Sequence, residues 1–383
     1  MRAALPDWPW DALEPFAKRA KSHPNGLIDL SVGSPVDATP ALIRQALASA
    51  ADAHAYPLTV GTPILREAIV EWFARRRGVA DLTIANVLPT IGSKEFIAGL
   101  ALWLGIGAGD IVVQPLLAYP TYAVGAALAG ATVVSSDNPA DWPVGTKLIW
   151  VNSPANPDGS ILSVEQLSAA VSRARELGAV IASDECYAEL GWLPENDAVA
   201  TPSILDPRVT HGDHSSVLSV YSLSKQSNLA GYRAGFVAGC GTLIAQLLSV
   251  RKHLGLLPPA PIQTAMVTAL GDDTHVRAQR ELYGARRARL APALRRAGFR
   301  IDASDGGLYL WATRGEDAWA SVETFASIGI LVVPGTFYGA SPSQHVRVAI
   351  TATDDAIDAA VDRLDTLAIT VEISPSAVVT SSN

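Results

Sequence analysis

The chain has 383 residues, too many for a single ordinary hydrophobic core and enough for about two domains of ~100–200 residues each. Hydrophobic residues make up 49% and charged residues only 17%, which excludes a disordered or coiled-coil chain, and a net charge of −8 argues against nucleic acid or an anionic membrane as the main partner. No apolar run reaches the ~18–20 residues of a membrane span, the opening MRAALPDWPWDALEPF lacks the apolar core of a signal peptide, and Cys186 and Cys240 are too few for a disulfide framework, so a cytoplasmic protein is expected.

Along the chain, Ile64, Leu65, Ala68, Ile69, Trp72 and Phe73 recur at helical spacing behind the cap-like Thr62-Pro63, predicting an amphipathic helix that ends at Arg75, Arg76 and Arg77. Compact apolar runs at 110–114, 131–135, 147–151, 179–183, 217–221 and 234–238 read as strands buried on both faces, with helical patterns such as 164–177 between them. This is the pattern of an α/β fold with a mostly parallel sheet covered by helices. Beyond about residue 270 the pattern changes to a long Arg-rich helix over 273–297, then strand-like 307–312, a helix near 318–327, the runs 330–333 and 345–350, and a last helix from about 353, which suggests a second, smaller α/β domain. The arginine runs 75–77 and 286, 287, 289 read as exposed helix faces, and the Ser- and Val-rich tail from Ser374 as frayed.

Four segments carry candidate chemistry. Lys225 follows a core strand and is flanked by Ser222, Ser224 and Ser227, with Arg233 eight residues on. A lysine near low-dielectric surroundings suits imine formation, and the hydroxyls and guanidinium suit a phosphate beside it; a solvated loop lysine is the plain alternative. Asp184 and Glu185 end another apolar run and fit a metal site, a helix cap or a partner for a cation, but no further metal ligands stand at suitable spacing. The turn Asn152 to Gly159 contains two prolines that fix an extended path, either as a plain loop or as a device that aims an asparagine inward. At Gly92-Ser93-Lys94, glycine and small polar residues open a helix, which makes an anion site or a simple cap. Cys186 reads as a packing thiol.

In order and spacing these segments resemble the fold-type I aminotransferases that use pyridoxal 5'-phosphate, over nearly the whole chain. The resemblance implies a large domain with a seven-stranded sheet, over 40–272, and a smaller α/β domain over 273–371 joined by part of the arm 1–39, with 372–383 as a flexible tail. It implies Lys225 as the imine-forming lysine, Asp184 as the carboxylate at the pyridine nitrogen, and Tyr187 and Asn156 at the phenolic oxygen. Ser93, Lys94, Ser222 and Arg233 would hold the phosphate, with Tyr56 reaching the phosphate of a neighbouring subunit in a homodimer with a shared active site. Tyr119 would stack on the ring, with Tyr122 as the alternative. Arg347, in the strand-like 345–350, would take the α-carboxylate of an amino acid or 2-oxo acid substrate, with the backbone of Gly33 closing over it.

Several stretches, among them Leu88 to Glu95, Leu117 to Tyr122, Ser222 to Phe236 and Val346 to Thr353, look like the bacterial N-succinyldiaminopimelate aminotransferases. That implies transfer of the amino group of N-succinyl-LL-2,6-diaminopimelate to 2-oxoglutarate. Arg251, Lys252 and His253 are candidates for its distal carboxylates or a solvated helix face. Aspartate, aromatic and LL-diaminopimelate aminotransferases and carbon–sulfur lyases share the same cofactor constellation.

Overall fold

The computed structural model describes residues 5, 9–193 and 201–372; the tail from Ser374 lies outside the described residues. The first strand, β1 (Ile28–Asp29), is only two residues long. The next seven are β2 (Val87–Ile91), β3 (Ile111–Gln114), β4 (Thr132–Ser135), β5 (Thr146–Asn152), β6 (Val180–Asp184), β7 (Val217–Ser222) and β8 (Ala234–Gly239). They form one sheet in the order β2-β8-β7-β6-β5-β3-β4. Strands β3 to β7 pair in parallel, and β8 runs against both β7 and β2. All residues of β7 and β8 are buried, as their unbroken apolar runs require.

Two strands depart from the sequence expectation. The run 131–135 becomes β4 at the sheet edge, where its side chains are half-buried or exposed. A strand also precedes the helix opening at Gly92, where Pro89 argues against one; β2 is the opposite edge, so the missing proline N–H leaves no inner ladder bond unmade.

The helix Pro63–Trp72 begins as its cap predicts, with Thr62 Oγ1 accepting from Leu65 N. It buries Leu65, Ile69 and Trp72, one stripe at i, i+4 and i+7. Ile64, one position off that stripe, faces outward and is exposed. The helix Val164–Leu177 opens with a capping box made by Ser163 and Gln166.

The remaining strands are β9 (Arg300–Asp302), β10 (Tyr309–Thr313), β11 (Ile330–Leu331), β12 (Val333–Pro334) and β13 (His345–Ala349). An antiparallel sheet has the order β12-β13-β10-β9, and β1 pairs in parallel with β11. Ala349 N also donates to Leu30 O. The N-terminal segment is thereby sewn to the C-terminal strands just before it reaches Gly33.

The arginine runs are not the exposed faces that the sequence suggests. Arg77 is buried against Glu185, and Arg76 pairs with Glu189. Arg286, on the helix Thr274–Arg296, is buried too, with both terminal nitrogens on Asp37 at 2.6 and 2.7 Å and Nε 3.3 Å from Asp354. The Asp37 carboxyl is pushed up by burial, but the hydrogen bonds from Arg286 and Gln279 outweigh this and hold it below its usual value. A helix face can carry charge and still be buried when its partners come from distant segments.

Because removal of Arg286 leaves Asp37 with Gln279 alone, while Asp354 keeps Arg289, Arg286→Met is expected to lower unfolding free energy by about 3 kcal/mol. Urea denaturation monitored by fluorescence measures this directly, and a loss under about 0.5 kcal/mol would place the pair among inconsequential surface contacts.

Candidate active site

Parallel strands end on one edge of a sheet, and the chain places its polar residues there. Asn152, Asp184 and Ser222 terminate β5, β6 and β7. Strand β2 runs the same way and delivers the helix Gly92–Trp103 to that edge, while the reversed β8 begins there, directly after Arg233. Asp184, Ser222, Ser93 and Arg233 border a cavity of about 460 Å³ that also receives Lys225, Tyr119, Asn156, Cys186 and Tyr187. From the other sheet and the N-terminal segment come Arg347, Tyr309, Gly33 and Trp10.

Asp184 is enclosed. It accepts from Tyr122 Oη at 3.0 Å and from Cys186 N at 3.2 Å. Burial raises its pKa; hydrogen bonds from Cys186 and Tyr122 pull the other way, and neighbouring Glu185 adds to the rise. Asn152 fixes the adjoining backbone by donating from Nδ2 to Asp184 O and Pro154 O, while its Oδ1 accepts from Asn156 N at 2.8 Å. The turn, whose Ser153–Pro154 bond is cis, is therefore no plain loop. It brings Asn156 Oδ1 to 2.8 Å from Arg347 Nη1.

Lys225 sits on the single helical turn Leu223–Gln226, and its Nζ donates to Gly33 O. Ser222 caps that turn, accepting from Ser224 N and donating to Ser224 Oγ. Gly92 has φ +71°, and a Cβ there would lie 2.8 Å from the Arg233 guanidinium carbon, so the guanidinium lies across the bare backbone that opens the helix. Lys94 is beside it, its pKa lowered by burial and by the charge of Arg233. Ser93 Oγ accepts from the Cys186 thiol, whose pKa burial pushes well up.

Of the two candidate ring-stacking tyrosines, Tyr119 lines the cavity, with its pKa pushed up to about 12 by burial. Tyr122 lies behind it, stacked on Trp150 and bonded to Asp184. Tyr56 is outside the cavity and 94% exposed. Arg251 is displaced from the role suggested for it: it is fully buried, 2.6 Å from Glu95 and over the Trp103 ring, because burial of a guanidinium demands a carboxylate and an aromatic face. Lys252 and His253 are exposed on the same helix, and neither lines the cavity.

Two lining residues escaped the sequence reading. Tyr309 looks like an ordinary strand aromatic, yet its ring lies 3.9 Å from the Arg347 guanidinium carbon and its hydroxyl shares a hydrogen bond with Tyr187 at 3.2 Å. Burial pushes its pKa up, but Arg347 and Lys225 outweigh that and leave it lowered, whereas burial and the neighbouring Tyr309 hold Tyr187 well above its usual value. Trp10 looks like part of an N-terminal arm and lines the cavity beside Phe337. No signal in the sequence distinguishes either from a core aromatic.

The lining carries four cations, Lys94, Lys225, Arg233 and Arg347, against one carboxylate, Asp184. Arg347 Nε is buried and has no partner among the described residues. An α/β sheet whose carboxyl edge gathers a lysine, a buried acid and a cationic helix start defines an enzyme built for an anionic, phosphorylated cofactor and a carboxylate substrate. A family profile described as aminotransferase class I and II matches residues 25–364, and the chain belongs to that family, whose members use pyridoxal phosphate. It is 54% identical to the probable aminotransferase Rv1178 of Mycobacterium tuberculosis, over 94% of this chain and 86% of the relative. It is 53% identical to the 4-dedimethylamino-4-oxo-anhydrotetracycline transaminase OxyQ of Streptomyces rimosus, covering 94% and 99% of the two chains. The solved N-succinyldiaminopimelate aminotransferase of Mycobacterium tuberculosis superposes with a TM-score of 0.82 at 27% identity, covering 94% and 96%. Among the described residues no helix is long and apolar enough to cross a membrane.

A Cβ on Gly33 would lie 2.7–2.8 Å from Tyr309 ring carbons. Gly33→Ala is therefore expected to displace that ring from Arg347 and Tyr187 and to lower kcat/KM by about 10²-fold, with the unfolding midpoint nearly unchanged. Steady-state kinetics beside a thermal melt checks this, and wild-type kcat/KM would show that the ring has room to move.

Proposed function

We propose that this chain is a pyridoxal phosphate-dependent transaminase acting on N-succinyl-LL-2,6-diaminopimelate, with 2-oxoglutarate as amino acceptor. The observation that supports the chemistry is the convergence of Lys225, Asp184 and Arg347 on one cavity with Lys94 and Arg233 at its helix start. The residues present fit the cofactor: Ser93, Lys94, Ser222 and Arg233 would hold its phosphate, Asn156 and Tyr187 its phenolic oxygen, Asp184 its ring nitrogen, and Tyr119 its ring face. Bound there, it supplies an electron sink for the charge left when a substrate α-carbon loses its proton. Asp184, which accepts from Tyr122 and from the Cys186 amide, would hold the proton of that nitrogen. Lys225 Nζ accepts and returns the α-proton. Arg347 receives the substrate carboxylate through its planar fork, beginning with the Nε that is without a partner.

The substrate assignment is supported by the motif resemblance and by the likeness to the N-succinyldiaminopimelate enzyme. Tyr56, exposed and outside its own chain's cavity, is placed in this reading at the phosphate of a second subunit. A second reading, an acceptor ketone on a large ring system, is favoured by Trp10 at the cavity and by the 53% identity to the anhydrotetracycline transaminase.

Single-turnover reactions of the cofactor-loaded enzyme with a panel of amino donors, read by visible absorbance, separate these possibilities. Fastest reaction with the succinylated compound is expected. Indifference to it, with brisk reaction of aspartate or an aromatic amino acid, would refute the assignment, and turnover of a polycyclic ketone in the reverse direction would establish the second reading.

Arg347→Ala is expected to weaken donor binding by about 3 kcal/mol, roughly a hundredfold in KM, while the bound cofactor's absorbance stays as in the wild type. Loss of the cofactor itself would assign the residue to phosphate or ring binding instead.

A further inference from the structure

The three arginines that follow the helix Pro63–Trp72 sit on one turn of π-type hydrogen bonding, Phe73–Arg77, closed by Gly78 at φ +67°. Such widened turns recur at functional sites. Here the turn sends successive guanidinium groups to different segments. Arg75 holds Asp273 and Leu270 O ahead of the long helix. Arg76 grips Glu189 through two bonds, of 2.5 and 3.2 Å. Arg77 donates to Glu185 at 2.8 Å and to Thr201 O at 2.7 Å.

Glu185 and Glu189 belong to the segment 184–189, which contributes Asp184, Cys186 and Tyr187 to the cavity, yet neither glutamate lines it. Glu185 is buried and also accepts from Ser203 Oγ and from Ile204 N at 2.7 Å. Resting on the pyridoxal phosphate reading above, we infer that the Arg77–Glu185 ion pair is a positioning pair for Asp184, pinning its segment from behind and cancelling the charge beside it. Arg76–Glu189 is the second pin of the same segment.

Two considerations carry this. A buried ion pair seldom adds net stability over an apolar pair of similar size, so its value here is in where it holds the chain. A buried carboxylate next in sequence to Asp184 also disfavours ionisation of Asp184 unless a cation offsets it. The titratable groups facing Asp184 are Tyr119, Tyr122, Cys186 and Glu185, with Lys225 facing Cys186. Those facing Arg77 are Glu185, Asp206 and Tyr221, and Tyr221 also faces Arg76 and Glu189. Arg77 is therefore the cation that meets Glu185 directly.

The test compares wild type, Arg77→Met, Glu185→Gln and the double variant, each loaded with pyridoxal phosphate and passed through gel filtration at a series of pH values. The pH of half-retention of the cofactor is read by absorbance, beside a thermal melt. Arg77→Met leaves Glu185 uncompensated, raises the proton affinity of Asp184 and is expected to move half-retention up by about one pH unit; Glu185→Gln is expected to move it down, and the double variant to return it close to wild type. A merely structural pair would shift both single variants the same way, in step with their melting points, and that result would overturn the inference. If Arg77→Met does not fold, Glu185→Gln alone decides, since an unmoved or raised half-retention pH contradicts the proposed role. Failure of the wild-type protein to take up pyridoxal phosphate would overturn the parent reading and this inference together, whereas uptake with same-sign shifts would overturn this inference only.

Discussion

Asp184 carries a carboxylate that burial pushes toward its neutral form, and the surrounding residues counter that pressure. An ionisable group in a protein interior is costly unless its hydrogen bonds are met on every side. Tyr122 donates to it, the Cys186 amide donates to it, and Asn152 ties down the carbonyl of the same residue. Tyr122 is in turn stacked flat on Trp150 in the neighbouring strand β5, at 5.0 Å between ring centres. The position of the acid is thus inherited from the sheet: Asn152 and Asp184 are cross-strand partners at the ends of β5 and β6. A rigid parallel sheet locates the acid more finely than a loop would.

The second source of order is the meeting of the two sheets. Strand β13 brings Arg347 to the cavity, and the N-terminal segment, bonded to β13 and β11, brings Ser31 and Gly33 to the same place. Arg347 bonds Asn156 from one sheet's turn and Ser31 O from the other side. The chain as a whole is acidic, yet this cavity is cationic, so the local arrangement and not the net charge decides what it attracts.

Much of this was legible in the sequence because buried parallel strands leave unbroken apolar runs, and β5, β6, β7 and β8 fall where those runs predict. Lys225, Asp184 and Asn156 come to one cavity because each follows or ends such a strand, while Ser93 follows the edge strand β2 and Arg347 sits on the antiparallel strand β13. Pro89 hid β2, since a proline marks an edge strand and a loop alike. The arginines at 75–77 and 286 look like solvated faces because their carboxylate partners Glu185, Glu189, Asp273 and Asp37 are far away in sequence, and pairing across a fold leaves no local signature. Tyr309 and Trp10 were missed for a related reason: a strand tyrosine and an N-terminal tryptophan have the same appearance whether they fill a core or face a ligand. Arg251 shows the opposite error, a cation credited with binding that is spent on Glu95 and Trp103.

Arg347 has a further consequence. Its guanidinium lies between the rings of Tyr309 and Tyr338 and is already stripped of water, with two of its nitrogens bonded to protein oxygens. A carboxylate arriving under the proposed reading meets a cation already buried in the fold, and beyond the unpartnered Nε it must exchange into bonds that the two terminal nitrogens already make. Exchange of this kind gives sharp orientation with modest net affinity. A transaminase needs that combination, because the oxo acid formed in one half of its cycle must leave the seat that the next substrate takes.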